Sequence, residues 1–316
     1  RAVTVSTLAE ARAFATAGFA DITYAVPVEP GKFDECVEIV RNGTRLNVLT
    51  DDGPTVAALD AAAGKAGVRF NVFVKIDVGY HRCGVEPHTD EAVEIPRQIA
   101  DAKHLEFAGI LTHAGHSYNV KTRDEIVRIA REERDWMVQH AEQLRSRGIE
   151  VPVVSIGSTP TITHVDHLDG IDEIRPGNYI FFDAFQATLG SCTFEDTALT
   201  VLASVVHRDR GRRKIITDAG GIALSKDRGP VDLDPPCGYG RVLDLEGLDT
   251  GARITSVSQE HGTFIVPPEV NFDAFPVGAR VRILANHSCL TAAQHESYNV
   301  VEDGHIIDRW EIHRGW

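Results

Sequence analysis

Nothing in this chain of 316 residues is apolar for long enough to span a membrane. Cysteine is sparse and unordered. Five thiols (Cys36, Cys83, Cys192, Cys237 and Cys289) are scattered along the sequence, and no CxxC occurs. That argues against both a disulfide framework and a four-ligand structural zinc site, and points to a reducing, cytoplasmic setting. Positive charge is also short. The 32 Lys and Arg face 46 Asp and Glu, for a net charge of −14, which speaks against a nucleic-acid partner because phosphate binding needs a basic face. Repeats, low-complexity tracts, flexible linkers and a Gly-rich dinucleotide turn are absent too. A chain of this length buries a large core, and its 43% hydrophobic content is ordinary for a globular protein. It begins at Arg1, not at a methionine, so a targeting signal is not judged.

What is present, over the first half, is a βα rhythm. Residues 3–5, "ITYAV" (22–26), "LNVLT" (46–50), "RFNVFVKID" (69–77), "FAGILTH" (107–113), "VVSIG" (153–157) and "DEIRPG" (172–177) read as strands. Residues 8–17, 33–41, 55–66, 91–102 and 122–147 read as helices between them. This alternation predicts a parallel sheet, and seven strands in one direction without a Gly-rich dinucleotide turn suggest a (β/α)8 TIM-type barrel more than an open sheet, with seven of eight units visible and the first strand missing. After about residue 185 the pattern changes. "TALTVLASVVHRD", "RKIITDAG", "ARITSVSQEHGTFIV", "ARVRILANH" and "YNVVEDGHIIDRWEI" are β-rich runs broken by turns. The expected organisation is a barrel over 1–185 and an antiparallel β domain over 186–316.

In such barrels the chemistry gathers at the carboxyl ends of the strands. Here those ends carry Asp77, His113, Gly157 with Ser158, and Arg175. "KIDVGYHRCGV" places Lys75 on the strand face of Asp77, with a buried ion pair as the plain reading, and Arg82 beyond a glycine turn. "LTHAGHSY" gathers His113, His116 and Tyr118, either a histidine-rich loop or a set of acid/base groups. "SIGSTPT" and "EIRPGNY" are small, polar turns after the last two strands. They read as helix caps or as a phosphate cradle, and the position favours the cradle. "TDAGGIALSKDRG" reads as a hairpin or as a close backbone approach, and His261 in "QEHG" as a structural or supporting histidine. Near the end, "ILANHSCL" closes an apolar run with His287 and Cys289 two apart. Two soft donors are too few for a structural site but can hold a metal that stays open to water or substrate.

In order, these segments resemble the D-threonine aldolase and D-serine dehydratase family of pyridoxal-phosphate enzymes, which have an alanine-racemase-like fold. The resemblance runs from "TVSTLAEARAFATAGFADITYAVPV" through "GSTPT" and "EIRPGNYIFFD" to the terminal "HRGW". It implies that His113 stacks on the pyridine ring and that Arg82 bonds the phenolic oxygen. Ser158, Thr159, Gly177 and Asn178 match phosphate contacts. Arg175 aligns with the arginine facing the ring nitrogen, a role for which Tyr118 competes. Lys75 matches a lysine that is carbamylated in alanine racemases. His116 and Tyr118 are the catalytic candidates within the chain. His287 and Cys289 match the metal pair, in the Cys form associated with zinc-dependent dehydratases. Zinc is the expected ion and manganese the alternative.

One feature of the family is not in this sequence. Its Schiff-base lysine lies roughly twenty residues before "TVSTLAEA", after the first barrel strand, and is expected upstream of Arg1. The implied function is a lyase acting on β-hydroxy D-amino acids, a D-serine or D-3-hydroxyaspartate dehydratase. D-threonine or D-3-hydroxyaspartate aldolase is the alternative, and a non-catalytic pyridoxal-phosphate carrier the distant one. The partner is a small-molecule β-hydroxy D-amino acid, and a homodimer follows from the resemblance.

Overall fold

The structure, a computed structural model, describes residues 2–120, 122–229 and 238–315. Cys237 and the last residue of the "HRGW" motif lie outside the described residues. Two compact units are present. The first takes in the chain through Val120, Asp124–Pro176 and the tail from His313. Its strands are β1 (Ala2–Val5), β2 (Asp21–Pro27), β3 (Arg45–Thr50), β4 (Phe70–Lys75), β5 (Leu105–Leu111), β6 (Val153–Ile156) and β7 (Glu173–Ile174). They lie side by side in chain order, every neighbouring pair parallel. The connections contain α1 (Leu8–Thr16), α2 (Phe33–Arg41), α3 (Gly53–Ala66), α4 (Glu91–Asp101), α5 (Arg123–Ser146) and α6 (Thr159–His164).

Local chemistry sets these boundaries. Thr7 and Glu10 form a reciprocal capping box at the start of α1, which satisfies amide donors the first helical turn leaves unpaired. Asp52 caps α3 by accepting from Thr55 N, and Gly67 ends it with φ +69°, a conformation that suits glycine. Strands β3 and β4 are buried almost throughout, as parallel strands covered on both faces must be. Alternate residues divide between two clusters. Leu46, Val48, Val72, Val74 and Ile110 join the large core, and Leu49, Phe73 and Leu111 form a smaller one. Each fully buried side chain of this kind contributes roughly 1.5–3 kcal/mol, so the sheet is anchored from both sides.

The second unit takes in Gly177–Ile312. It begins with α7 (Ala184–Leu189), then β8 (Val201–Asp209), β9 (Lys214–Thr217), α8 (Gly221–Leu224), β10 (Arg241–Leu243), β11 (Asp249–Val257), β12 (Gly262–Ile265) and β13 (Arg280–Leu284). After these come α9 (Ser288–Ala292) and the hairpin β14 (Ser297–Glu302) and β15 (His305–Glu311). Strands β8–β13 close an antiparallel barrel in the order β10-β11-β12-β9-β8-β13. Val205, Ile215, Ile254, Phe264, Val281 and Ile283 are among its buried core residues. The fold is therefore the expected one: parallel strands alternating with helices, then antiparallel β structure. Two open local readings are decided, the first in favour of a close backbone approach. "TDAGGIALSKDRG" is not a simple hairpin but carries α8, with Gly220 so close to Gln259 and His261 that a Cβ could not fit. His261 is exposed in the β11–β12 turn. No helix among the described residues is long and apolar enough to cross a membrane.

Candidate active site

The carboxyl rim of the parallel sheet gathers the residues of the first unit. Lys75 ends β4 and is 4% exposed. Its expected ion pair with Asp77 is not made. The Asp77 carboxylate instead accepts from Gly79 N (2.9 Å), His81 N (3.0 Å) and the His81 ring (3.0 Å), closing its own turn. Burial, reinforced by the charges of Arg175 and Arg82, lowers the Lys75 pKa to about 7 despite opposing effects of Cys83 and Glu133. Arg175 leaves β7 and points back over β5 and β6. Its Nε donates to Ser155 Oγ at 2.7 Å, and Nη2 donates to the Thr112 carbonyl. Burial lowers its pKa to about 10, so it remains a cation at neutral pH.

His113 stands two residues past β5. Its Nδ1 lies 2.7 Å from the Gly157 carbonyl. A carbonyl only accepts, so Nδ1 carries the proton and Nε2 is bare. Burial, then the charges of Lys75, Arg175 and Arg82, depress its pKa to about 3, against the opposing hydrogen bond to Gly157. Gly157 has φ +146°, and a Cβ there would lie 2.7 Å from Arg175 N. Only glycine lets β6 present its carbonyl this way. Tyr80 links three residues of the rim. Its ring meets His113 edge-on at 5.9 Å, stacks on His116 at 6.4 Å, and lies 5.0 Å from the Arg82 guanidinium. Tyr80 sits inside the motif that supplied Lys75 and Arg82, yet sequence reading assigned it no role. His116 Nδ1 is buried without a partner. Tyr118 is half-buried in the same short turn (Gly115–Asn119).

The "SIGSTPT" turn combines both readings offered for it. Ser158 is the N-cap of α6 and exchanges bonds with Thr161, while its hydroxyl also meets Ser117 Oγ at 3.1 Å. The neighbouring Thr159 hydroxyl is fully buried and has no partner. Buried polar atoms are rarely left unpaired without reason, and a phosphate oxygen would satisfy this one. With a neutral imidazole face and a buried guanidinium on the same rim, these residues fit a flat, anionic cofactor.

The other sequence candidates lie in the second unit. The Gly177 backbone is exposed, and Asn178 is buried. Asn178 Nδ2 donates to Asp183 Oδ2 (2.6 Å) and Ser288 Oγ (3.2 Å) and lies 3.9 Å from Cys289 Sγ, while its Oδ1 is unpaired. Asp183 Oδ2 also accepts from Ser288 N at 2.9 Å. The segment leaving β13 bonds α7, Ala184 N to Ala285 O and Phe185 N to Asn286 O, so His287 emerges on a held backbone. His287 occupies the N-cap position of α9, with Cys289 exposed on its first turn. The His287 Nδ1 is 2.8 Å from Asp227 Oδ2. Burial alone would lower the His287 pKa, but bonds to Asp227 and Cys289 raise it to about 10. With Nδ1 committed to a carboxylate, Nε2 is the ring nitrogen left to serve as a ligand atom beside the Cys289 thiol. Asp227, not His261, is the supporting group, and nothing in the local sequence pairs it with a histidine sixty positions on. Among the described residues no group of three or more His, Cys, Asp or Glu could hold a metal. An imidazole and a thiol alone match an open site and favour a soft ion.

Residues 1–184 match the family model described as alanine racemase, N-terminal domain, and residues 198–301 match the putative serine dehydratase domain. The chain belongs to the D-serine dehydratase and D-threonine aldolase family. It is 39% identical to D-threo-3-hydroxyaspartate dehydratase of Delftia sp. (strain HT23), over 99% of this chain and 84% of that protein. It is 35% identical to D-serine dehydratase of Dictyostelium discoideum, over 100% and 83%. A more distant family member, D-threonine aldolase of Arthrobacter sp, is 28% identical over 99% and 78%. A metal-free structure of a D-threo-3-hydroxyaspartate dehydratase mutant superposes with TM-score 0.94 at 38% identity, covering 100% of this chain and 85% of that one. That mutant replaces a cysteine by alanine, and a second solved mutant replaces a histidine two positions earlier.

Proposed function

We propose that this protein is a pyridoxal-phosphate- and metal-dependent lyase that removes water from a β-hydroxy D-amino acid, D-3-hydroxyaspartate or D-serine. The observation that carries the reading is the His287–Cys289 pair with Asp227 behind the imidazole. Its two-residue spacing equals that of the histidine and cysteine replaced in the solved dehydratase mutants, the latter metal-free. The two most similar relatives described above are both dehydratases.

The cofactor would supply an electron sink at the substrate Cα, and a divalent ion on His287 and Cys289 a Lewis acid for the β-oxygen. Zinc suits that donor pair better than manganese. The remaining roles belong to the chain. The His113 ring, fixed by Gly157, offers a flat uncharged face to the cofactor ring. Arg175, or Tyr118 in its place, addresses the ring nitrogen, and Arg82 the phenolic oxygen. The unpartnered Thr159 hydroxyl, with Ser158 beside it, would bind phosphate in the first unit, and Gly177 and Asn178 are the phosphate candidates of the second. Burial lowers the His116 pKa against the charges of Glu132 and Asp77, and its unpartnered Nδ1 makes it a candidate to accept or return a proton; Tyr118 can serve as an acid. The same reading carries a homodimer and a cytoplasmic location.

Incubating the protein with D-3-hydroxyaspartate, D-serine and D-threonine and identifying products tests it. A 2-oxo acid and ammonia are expected. Glycine with an aldehyde would favour the aldolase alternative, which the 28% identical D-threonine aldolase keeps in view.

A further inference from the structure

Helix α5 turns a buried stripe inward: Ile126, Ile129, Ala130, Met137, Ala141 and Leu144. Glu133 sits within that stripe and is 1% exposed. A carboxyl in an apolar seam is costly unless it is bonded. Its Oε1 accepts two backbone amides, Ala114 N at 3.1 Å and Gly157 N at 3.2 Å. Ala114 directly follows His113. Gly157 is the residue whose carbonyl takes the His113 Nδ1 proton. Gly157 is therefore gripped at both ends, its N–H by Glu133 and its carbonyl by His113. One oxygen atom ties together the loops that follow β5 and β6.

We propose that Glu133 is a positioning residue for His113: by fixing Ala114 and Gly157 it holds the imidazole with the proton on Nδ1 and Nε2 bare. The consequence for catalysis rests on the cofactor reading above, but the tautomer itself does not. Burial raises the carboxyl's pKa, against hydrogen bonds that lower it. The Thr161 hydroxyl and the charge of Arg175 also favour its ionised form, but toward Ala114 and Gly157 Oε1 acts only as an acceptor. Negative charge is thus not what the two amides need. A glutamine keeps the acceptor at the same reach. An aspartate keeps the charge but draws the acceptor back by one methylene. A role limited to anchoring α5 would change stability and leave the ring's tautomer alone.

The experiment is long-range proton–nitrogen correlation NMR on protein labelled with nitrogen-15 histidine, with His113 assigned by its loss in His113→Phe. The unsubstituted protein is expected to show His113 as one neutral tautomer protonated at Nδ1. Glu133→Gln is expected to keep that pattern. Glu133→Asp and Glu133→Met are expected to give a mixture, the two ring nitrogen resonances moving toward each other. An unchanged pattern in Glu133→Asp, or its loss in Glu133→Gln, overturns the proposal. Should Glu133→Met fail to fold, the Asp and Gln pair still decides. Cofactor binding is read separately from visible absorbance. A protein that binds no pyridoxal phosphate contradicts the functional reading and leaves the tautomer result standing.

Discussion

The His287 imidazole is held by the Asp227 carboxylate at 2.8 Å, across sixty positions of sequence. An orienting carboxylate of this kind fixes which ring nitrogen can face a metal and raises the ring's basicity as a ligand. Asp227→Ala is expected to weaken metal binding by about 10- to 100-fold without unfolding the barrel of the second unit, because Asp227 lies outside its core cluster. Chelator competition measures the change. Unaltered affinity would leave Asp227 as a loop residue.

Cys289 is exposed and His287 half-buried, so the thiol can be replaced with little effect on packing. Cys289→Ala should lose the metal and turnover while cofactor absorbance persists, since the ring candidates and the phosphate candidates Ser158 and Thr159 belong to the first unit. Cys289→Asp should retain a site of harder donors and shift preference from zinc toward manganese. Elemental analysis of the purified variants, with turnover recorded for each, checks both expectations.

Thr159 separates a structural hydroxyl from a binding one. Its unpartnered, buried hydroxyl should make the cofactor-free protein slightly less stable than it could be. Thr159→Val should therefore leave the cofactor-free protein as stable or more stable. It should also weaken pyridoxal-phosphate binding by roughly 2- to 10-fold, the loss of one hydrogen bond of about 0.5–1.5 kcal/mol. Urea unfolding paired with cofactor titration reads both. A destabilised apo-protein with unchanged affinity would return Thr159 to a packing role.

Gly157→Ala should be far from silent. The residue has φ +146°, and its Cβ would press on Arg175 N. Strain of this kind costs on the order of 1–3 kcal/mol. The shifted carbonyl should also release the His113 proton from Nδ1. Denaturant midpoints and histidine NMR test the two effects together.

His113 also sets a pH dependence. Its pKa falls from an ordinary 6.5 to about 3 in the folded protein, chiefly through burial. Between these values the unfolded chain holds a proton that the folded chain does not. Stability therefore rises with pH through that window. The contribution is fully present above 6.5 and is lost as pH falls toward 3. The limiting slope for one proton is about 1.4 kcal/mol per pH unit. His113→Phe should flatten the acid limb by up to that amount, measured by urea unfolding at a series of pH values.

Much of this architecture was legible in the sequence because it rests on local signals. Apolar runs bounded by Gly and Pro marked β2 through β6, and the long stretch over 122–147 marked α5 as a helix. Strand ends located Asp77, His113, Ser158 and Arg175, since a barrel rim follows from strand direction alone. Contacts made across the fold were not legible. Glu133 looks like any other acid on an acid-rich helix until its position in the buried stripe is counted, and its partners follow different strands. Asp227 reaches His287 only once the barrel of the second unit has closed. Lys75 and Asp77 share a strand face, but the tight turn through Gly79 and His81 captured the carboxylate first. Tyr80 gains its role only when the β4 and β5 loops meet.

The most direct test of the account is turnover of D-3-hydroxyaspartate and D-serine by the cofactor-loaded protein before and after chelation, with elemental analysis at each stage. A 2-oxo acid and ammonia are expected from the metal-bound protein, none after the metal is removed, and recovery when zinc is restored. Full dehydratase activity in protein shown to be free of metal would contradict it and return His287 and Cys289 to a structural role.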